Sequence, residues 1–107
     1  MSVMNEAVVG KYVIVRANTA GVHAGRVVLA DLANKMIQLE NARRLWRVYT
    51  RDKSGSISDV AANGLKPNAA HSIGAPISTV TIVNDAGLEI AEMTGAAWES
   101  VKNYVGE

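Results

Sequence analysis

A β-meander begins in the segment His23-Ala-Gly-Arg-Val-Val-Leu-Ala-Asp-Leu-Ala-Asn-Lys-Met-Ile-Gln-Leu-Glu40. Residues 23–30 are rich in β-branched and small apolar side chains, and the turn-forming residues 31–35 separate them from a second apolar run. In that second run Ile37 and Leu39 alternate with polar residues, which predicts a strand with one buried face and one polar face. The segment therefore predicts two antiparallel strands joined by a tight connection.

Further strands are predicted on both sides of this pair. Residues 11–16 form a β-branched run that ends at a turn containing Asn and Gly, which is typical of a buried strand. Residues 42–49 predict a fourth strand after the meander. Alternation along that strand places Arg43 on the face opposite Arg44 and Trp46.

The first of two predicted helices follows the fourth strand. Ser56, with an acidic residue three positions later, is a helix-start signature, because the two side chains satisfy free amide groups of the first turn. Gly64 suits a left-handed cap, and a proline three residues later prevents continuation. A short helix is therefore expected over roughly 57–63.

The C-terminal part predicts a hairpin and the second helix. Residues 77–83 and 88–92 flank Asn84-Asp-Ala-Gly87, a turn sequence, and read as a β-hairpin. Thr94 then opens a helix with an apolar face at helical spacing, formed by Trp98, Val101 and Val105.

These elements predict a single α+β domain over residues 1–107, with an antiparallel sheet of five or six strands and two short helices. A chain with 49% hydrophobic residues can bury a core of its own. Unprotected strand edges in such a sheet favour pairing between chains, so a homo-oligomer, a dimer or larger, is expected.

The sequence contains no motif that indicates catalysis, a cofactor or a metal site. There is no cysteine, which excludes disulfides and a thiol nucleophile. The two histidines, His23 and His71, are far apart, and neither has a second metal ligand at suitable spacing. Neither a nucleophile elbow nor a phosphate-binding glycine loop is present. We therefore expect no catalytic residues, no cofactor and no metal site.

Membrane association is not expected either. The sequence has no apolar run of about eighteen residues and no signal-like segment. A cytoplasmic location is therefore expected.

Positive charge is concentrated in one stretch of the chain. The net charge is only +1, yet five of the eleven Lys and Arg residues lie between positions 43 and 53. This local cluster, rather than the overall charge, indicates a binding surface.

The stretch 43–58 contains the groups that a nucleotide-type ligand needs. Arginines donate forked hydrogen bonds to phosphate, an aromatic plane stacks on a base, and free amides at a helix start favour anions. The candidate residues are Arg43, Arg44, Arg47, Trp46, Ser56 and Ser58. The alternative is that Trp46 belongs to the core and that the arginines form a solvated or ion-paired face.

Two positions before the meander are further candidates. Arg16 ends an apolar strand beside a turn and can either reach an anion or cap the surface. Gly21 can allow close approach of the backbone to a ligand, although glycines at turns more often meet a dihedral requirement.

The ordered series Val15-Arg16, Ala20-Gly-Val-His-Ala-Gly25 and Asn41-Ala-Arg-Arg-Leu-Trp46 resembles a family of small phage proteins, that of Thoeris anti-defence protein one. Glu89-Ile-Ala-Glu-Met-Thr-Gly-Ala-Ala97 resembles the family's closing strand and helix start. The resemblance implies a non-catalytic sponge that sequesters cyclic ADP-ribose-type signals, and in some members cyclic oligonucleotides, in the host bacterial cytoplasm. It also implies dimers or larger rings with pockets between protomers, and it adds Val22 and His23 to the candidate ligand-binding residues.

Two other functions are compatible with the same residues. A small phage accessory protein could bind single-stranded nucleic acid through the Arg- and Trp-rich strand. An assembly protein could use its charged faces only to hold subunits together.

Overall fold

A computed structural model describes residues 8–17, 21–50, 57–67, 70–83 and 88–105 of the protein. Within these ranges six strands form one sheet, and every strand pair is antiparallel. Two short α-helices accompany the sheet. The predicted α+β class is confirmed, and the number of strands is six.

The strands and helices follow each other in chain order. They are β1 (Tyr12–Ala17), β2 (Gly21–Asp31), β3 (Met36–Arg47), α1 (Ile57–Asn63), β4 (Ser72–Ile73), β5 (Ile77–Val83), β6 (Glu89–Glu92) and α2 (Gly95–Lys102). A single turn of 3-10 helix joins β2 to β3. In the sheet the order is β4-β3-β2-β1-β6, and β5 also pairs with β3. β4 pairs with the end of β3 and β5 with its first part, so both lie along the same side of β3.

The predicted third and fourth strands are one continuous strand, β3. Asn41, at the point where we expected a break, has a φ of 53°. Here the pairing with β2 shifts by one residue, from Arg26 opposite Glu40 to Ala24 opposite Arg43. Such a bulge keeps the strand paired while exchanging the faces on which successive side chains lie.

Apolar side chains form a core on each face of the sheet. Ile14 belongs to the core that includes both helices, whereas its neighbours Val13 and Val15 belong to the other core. This division follows from strand alternation. The second core also contains Ile37 and Leu39, the alternating pair that predicted the strand.

Helix α1 covers the range predicted for it. It spans Ile57–Asn63, and Ile57, Val60 and Ala61 are buried in the helix-side core. Gly64 follows with a φ of 78°, and its N–H donates to the Val60 carbonyl at 2.8 Å. The predicted cap residue Ser56 lies outside the described residues.

Helix α2 begins as predicted but ends earlier. The Thr94 hydroxyl accepts a hydrogen bond from the Ala97 N–H at 3.1 Å, which is the expected N-cap. Trp98 and Val101 are buried. Val105 lies beyond the helix and is 92% exposed, so its assignment to the apolar face is wrong. No helix in the described ranges is long and apolar enough to span a membrane.

The predicted hairpin of residues 77–92 is also wrong. Both strands exist, but β5 pairs with β3 whereas β6 pairs with β1. Local sequence identifies the strands, but their partners depend on packing between distant segments.

Candidate ligand-binding site

Two stretches predicted to bind ligand lie side by side. The beginning of β2 runs antiparallel to the end of β3, with Val22 opposite Leu45 and His23 opposite Arg44. The resemblance-derived residues around Gly21 are therefore neighbours of the Arg- and Trp-rich strand. Sequence reasoning named both stretches, and the sheet register brings them together.

Arg43 points toward helix α2 and is 7% exposed. Its Nε donates to the Gly74 carbonyl at 2.8 Å, and its Nη1 donates to the carbonyls of Val101 at 2.8 Å and Tyr104 at 2.7 Å. The C-terminus of a helix carries unsatisfied carbonyls and partial negative charge, so a guanidinium is well suited to this position. We therefore assign Arg43 to holding α2 in place.

Arg44 and Trp46 lie at the surface instead. The Trp46 side chain is 62% exposed, so the alternative that it belongs to the core is wrong. The Arg44 guanidinium carbon lies 5.3 Å from the centroid of the Trp46 ring, within the range of a cation–π interaction. An indole is thus held at the surface with a cation over it.

Gly21 makes room for the Arg44 guanidinium. Its φ is 83°, which a residue with a side chain rarely adopts. A Cβ at this position would lie 2.9 Å from Arg44 Nη2, closer than side-chain contacts allow. Gly74 lies against the Trp46 ring, since a Cβ at Gly74 would be 3.2 Å from Trp46 Cζ3.

Arg47, the residue after Trp46 in β3, is also an exposed cation. Among the described residues, no carboxylate is within ion-pair distance of Arg44 or Arg47. With respect to the described residues, these two side chains match the solvated form of the alternative reading and not its ion-paired form. We call Gly21, Arg44, Trp46, Arg47 and Gly74 the Trp46 surface.

An apolar cavity of about 290 Å³ adjoins the Trp46 surface. Trp46 and Arg47 line it together with apolar residues of the sheet and of α1, namely Ile14, Val22, Leu45, Val48, Ile57 and Val60. Its size is close to the lower end of the range for small-molecule sites, about 300–1,000 Å³. Trp46 and Arg47 thus belong to the cavity lining, whereas Arg44 contacts the Trp46 ring without lining the cavity.

His23 lies beneath this surface and is 7% exposed. Burial, and in second place the nearby Arg44 cation, lower the pKa of His23 from its ordinary value. Its Nδ1 is buried and has no hydrogen-bond partner among the described residues. A neutral imidazole at this position avoids placing a second positive charge below Arg44.

Tyr49 lies just after β3, and its side chain is 42% exposed. Its backbone N–H donates to Nδ1 of His71 at 3.1 Å, and Nε2 of His71 lies 3.1 Å from the Lys66 carbonyl. This geometry requires Nε2 to carry the ring proton, since Nδ1 acts as the acceptor. His71 therefore fixes the chain after β3 in place.

The remaining predicted residues lie apart from the Trp46 surface or outside the described ranges. Arg16 is exposed and its Nε is 3.3 Å from Oε1 of Glu89, which matches the alternative of a surface residue. Ser58 is exposed on α1, and Ser56 is not among the described residues. Since α1 begins at Ile57 and has only seven residues, we do not assign an anion site to its start.

Sequence reasoning missed a second cavity, of about 310 Å³, beside α2. It is lined by Tyr12, Asn41, Arg43, Pro76, Trp98 and Lys102. The rings of Tyr12 and Trp98 stack there with centroids 4.6 Å apart. No local signal links residues so distant in sequence. The Arg43 groups at this cavity already bond to backbone carbonyls, so it is the weaker candidate.

A family model described as a domain of unknown function, DUF6948, matches residues 10–101 of the chain. The chain belongs to the DUF6948 family. The match covers all six strands and nearly all of α2, and hence every residue of the Trp46 surface in this DUF6948 protein. No curated protein and no solved structure matches the chain.

Proposed function

We propose that this DUF6948 protein binds a nucleotide-type small molecule at the Trp46 surface and sequesters it without chemical change. The observation that carries the proposal is the exposed Trp46 indole, 62% accessible, with the Arg44 guanidinium 5.3 Å from its ring centroid. A ligand with a flat base and a phosphate has both groups that such a surface recognises.

The indole is the expected contact for the base. Stacking of a base on an aromatic side chain contributes about 1–3 kcal/mol. The adjoining apolar cavity gives space for part of the ligand beside the ring.

The phosphate is expected to bind Arg44 and Arg47. Charge-assisted hydrogen bonds from a guanidinium to phosphate are short and strong, and neither cation has a competing carboxylate among the described residues. The absence of a side chain at Gly21 leaves room for the Arg44 guanidinium close to the backbone.

The form of the ligand is inferred from the sequence resemblance. The likeness to Thoeris anti-defence protein one supports a cyclic ADP-ribose-type signal or a cyclic oligonucleotide. A phage-encoded sponge of this kind would act in the host bacterial cytoplasm by denying the signal to its receptor. In this proposal the protein is a homo-oligomer and needs no cofactor.

Calorimetric titration with cyclic ADP-ribose and with cyclic dinucleotides tests the proposal. The chain should bind one of these compounds, and Trp46→Ala should weaken its affinity about five- to hundredfold, the equivalent of one stacked base. Arg44→Ala should weaken it as well. Lys66→Ala is the matched control, because Lys66 is an exposed cation outside the Trp46 surface.

Native mass spectrometry completes this test. Protein purified from cells that make such signals should carry added mass that heating releases as an intact compound. If no compound binds, or if Trp46→Ala and Arg44→Ala bind as the parent chain does, the proposal is rejected.

Binding of single-stranded nucleic acid is the second candidate. It is favoured by the exposure of Tyr49, a second exposed aromatic side chain three residues after Trp46, because a strand of stacked bases uses more than one ring. The two functions differ in salt dependence. Binding of a strand weakens steeply with salt and tolerates many sequences, whereas a small-molecule site selects one compound.

A further inference from the structure

The two edges of the sheet differ in length and charge. β6 forms one edge with only four residues, Glu89–Glu92. Both of its glutamates are ion-paired, Glu89 with Arg16 of β1 and Glu92 with Lys11, the residue before β1, each at 3.3 Å. A short, charged edge strand is a common means by which proteins prevent pairing with another chain.

The opposite edge has no such protection. β5 has seven residues, Ile77-Ser-Thr-Val-Thr-Ile-Val83, and none is charged. Ile77 is 48% exposed and Val83 is 57% exposed. Among the described strands β5 pairs only with β3, so within the described residues its outer N–H and C=O groups have no strand partner. The helices contact chiefly β1, β2 and β6, which leaves this edge accessible.

The sequence of β5 is nearly symmetric about its central residue, Val80. An antiparallel copy related by a two-fold axis at Val80 would place Thr79 opposite Thr81 and Ile77 opposite Val83. Ser78 would lie opposite Ile82, which is the one unlike pair. Pairs of β-branched residues of like chemistry stabilise adjacent strands, and no like charges oppose each other. The strand is thus complementary to itself.

We propose that β5 pairs antiparallel with β5 of a second copy of this chain, about a two-fold axis at Val80. The two sheets then form one continuous sheet, and both unprotected edges are removed. The pairing does not depend on a ligand, and it leaves the Trp46 surface within each protomer.

Charged substitutions on both sides of the two-fold axis test the proposal. Light scattering with size-exclusion chromatography should give the unmodified chain a mass of twice 11.4 kDa. The double variant T79K/T81K places like charges opposite each other across the axis and should be monomeric, as should T79E/T81E. An equimolar mixture of the two variants should regain the doubled mass, because opposite charges then face each other.

The mixture distinguishes loss of pairing from loss of folding, since misfolded chains would not recombine. Ser58→Lys adds a charge at an exposed position on α1 and should leave the mass unchanged. The proposal is overturned by a monomeric unmodified chain at high concentration, by dimeric lysine and glutamate variants, or by a mixture that stays monomeric. Ligand binding by the T79K/T81K monomer reports on the Trp46 surface separately, so the two proposals can fail independently.

Discussion

Arg43 and Arg44 are adjacent in the chain but lie in opposite environments. Arg43 is 7% exposed and bonds to carbonyls at the end of α2, whereas Arg44 is exposed and lies over the Trp46 ring. The two tryptophans repeat the contrast: Trp98 is 5% exposed and Trp46 is 62% exposed. In each pair one residue stabilises the fold and the other is available for a partner.

The largest expected difference in the free energy of unfolding is between substitutions of the two tryptophans. Trp98→Ala removes a buried ring that stacks on Tyr12 and should lower the free energy of unfolding by about 3–5 kcal/mol. Trp46→Ala should change it by no more than about 0.5 kcal/mol. Urea denaturation followed by circular dichroism measures both, and equal losses would show that the contrast is wrong.

A smaller difference in the free energy of unfolding is expected between substitutions of the two arginines. Arg43→Ala leaves the carbonyls of Gly74, Val101 and Tyr104 without their donor, which should cost about 1–3 kcal/mol of stability. Arg44→Ala should cost less than about 0.5 kcal/mol. The same denaturation curves supply the measurement. A loss on Arg44→Ala as large as that on Arg43→Ala would contradict these assignments.

The smallest expected effect is a dependence on pH through His23. Because burial and then Arg44 lower its folded-state pKa below the ordinary value of 6.5, the unfolded chain takes up the proton more readily. The stability from neutral His23 is therefore present above about pH 6.5 and is lost as the pH falls through the folded-state pKa.

His23→Gln should remove this part of the pH dependence. The difference between the stability–pH curves of the parent chain and of His23→Gln separates the contribution of His23 from that of other groups. Arg44→Gln removes the weaker cause and should raise the pKa of His23 toward its ordinary value, as measured by NMR titration of the ring. Identical curves for the parent chain and His23→Gln would refute the prediction.

Local patterns in the sequence were sufficient for most elements of this fold. Sequence patterns identified most of the strands, and Thr94 and Gly64 marked helix boundaries through capping and a positive φ. The two-residue strand β4 lies in a stretch that was predicted to be a loop. Strand partners could not be read in the same way. The hairpin expected around residues 84–87 failed because β5 and β6 pair with β3 and β1, and those pairings depend on contacts between distant segments.

The candidate site was also predictable only in part, because local sequence does not show how distant segments pack. Alternation placed Arg43 and Arg44 on opposite faces, as observed, but it did not indicate which face α2 would cover. Trp46 and Trp98 likewise differ in burial because of where the helices pack. The composition of residues 43–58 indicated a binding surface. Which of its side chains are buried could be read only from the three-dimensional structure.

The bulge at Asn41 is an extra residue that β3 carries relative to β2. At this point β3 has two residues, Asn41 and Ala42, where β2 has only Gly25. Without Asn41 the two strands would pair in one unbroken register, and Arg43 would stay opposite Ala24 on the face that it now occupies. The pairs between β3 and β5, in contrast, run in one register across this point. A one-residue deletion here would therefore leave the pairing with β2 intact and shift the pairing with β5.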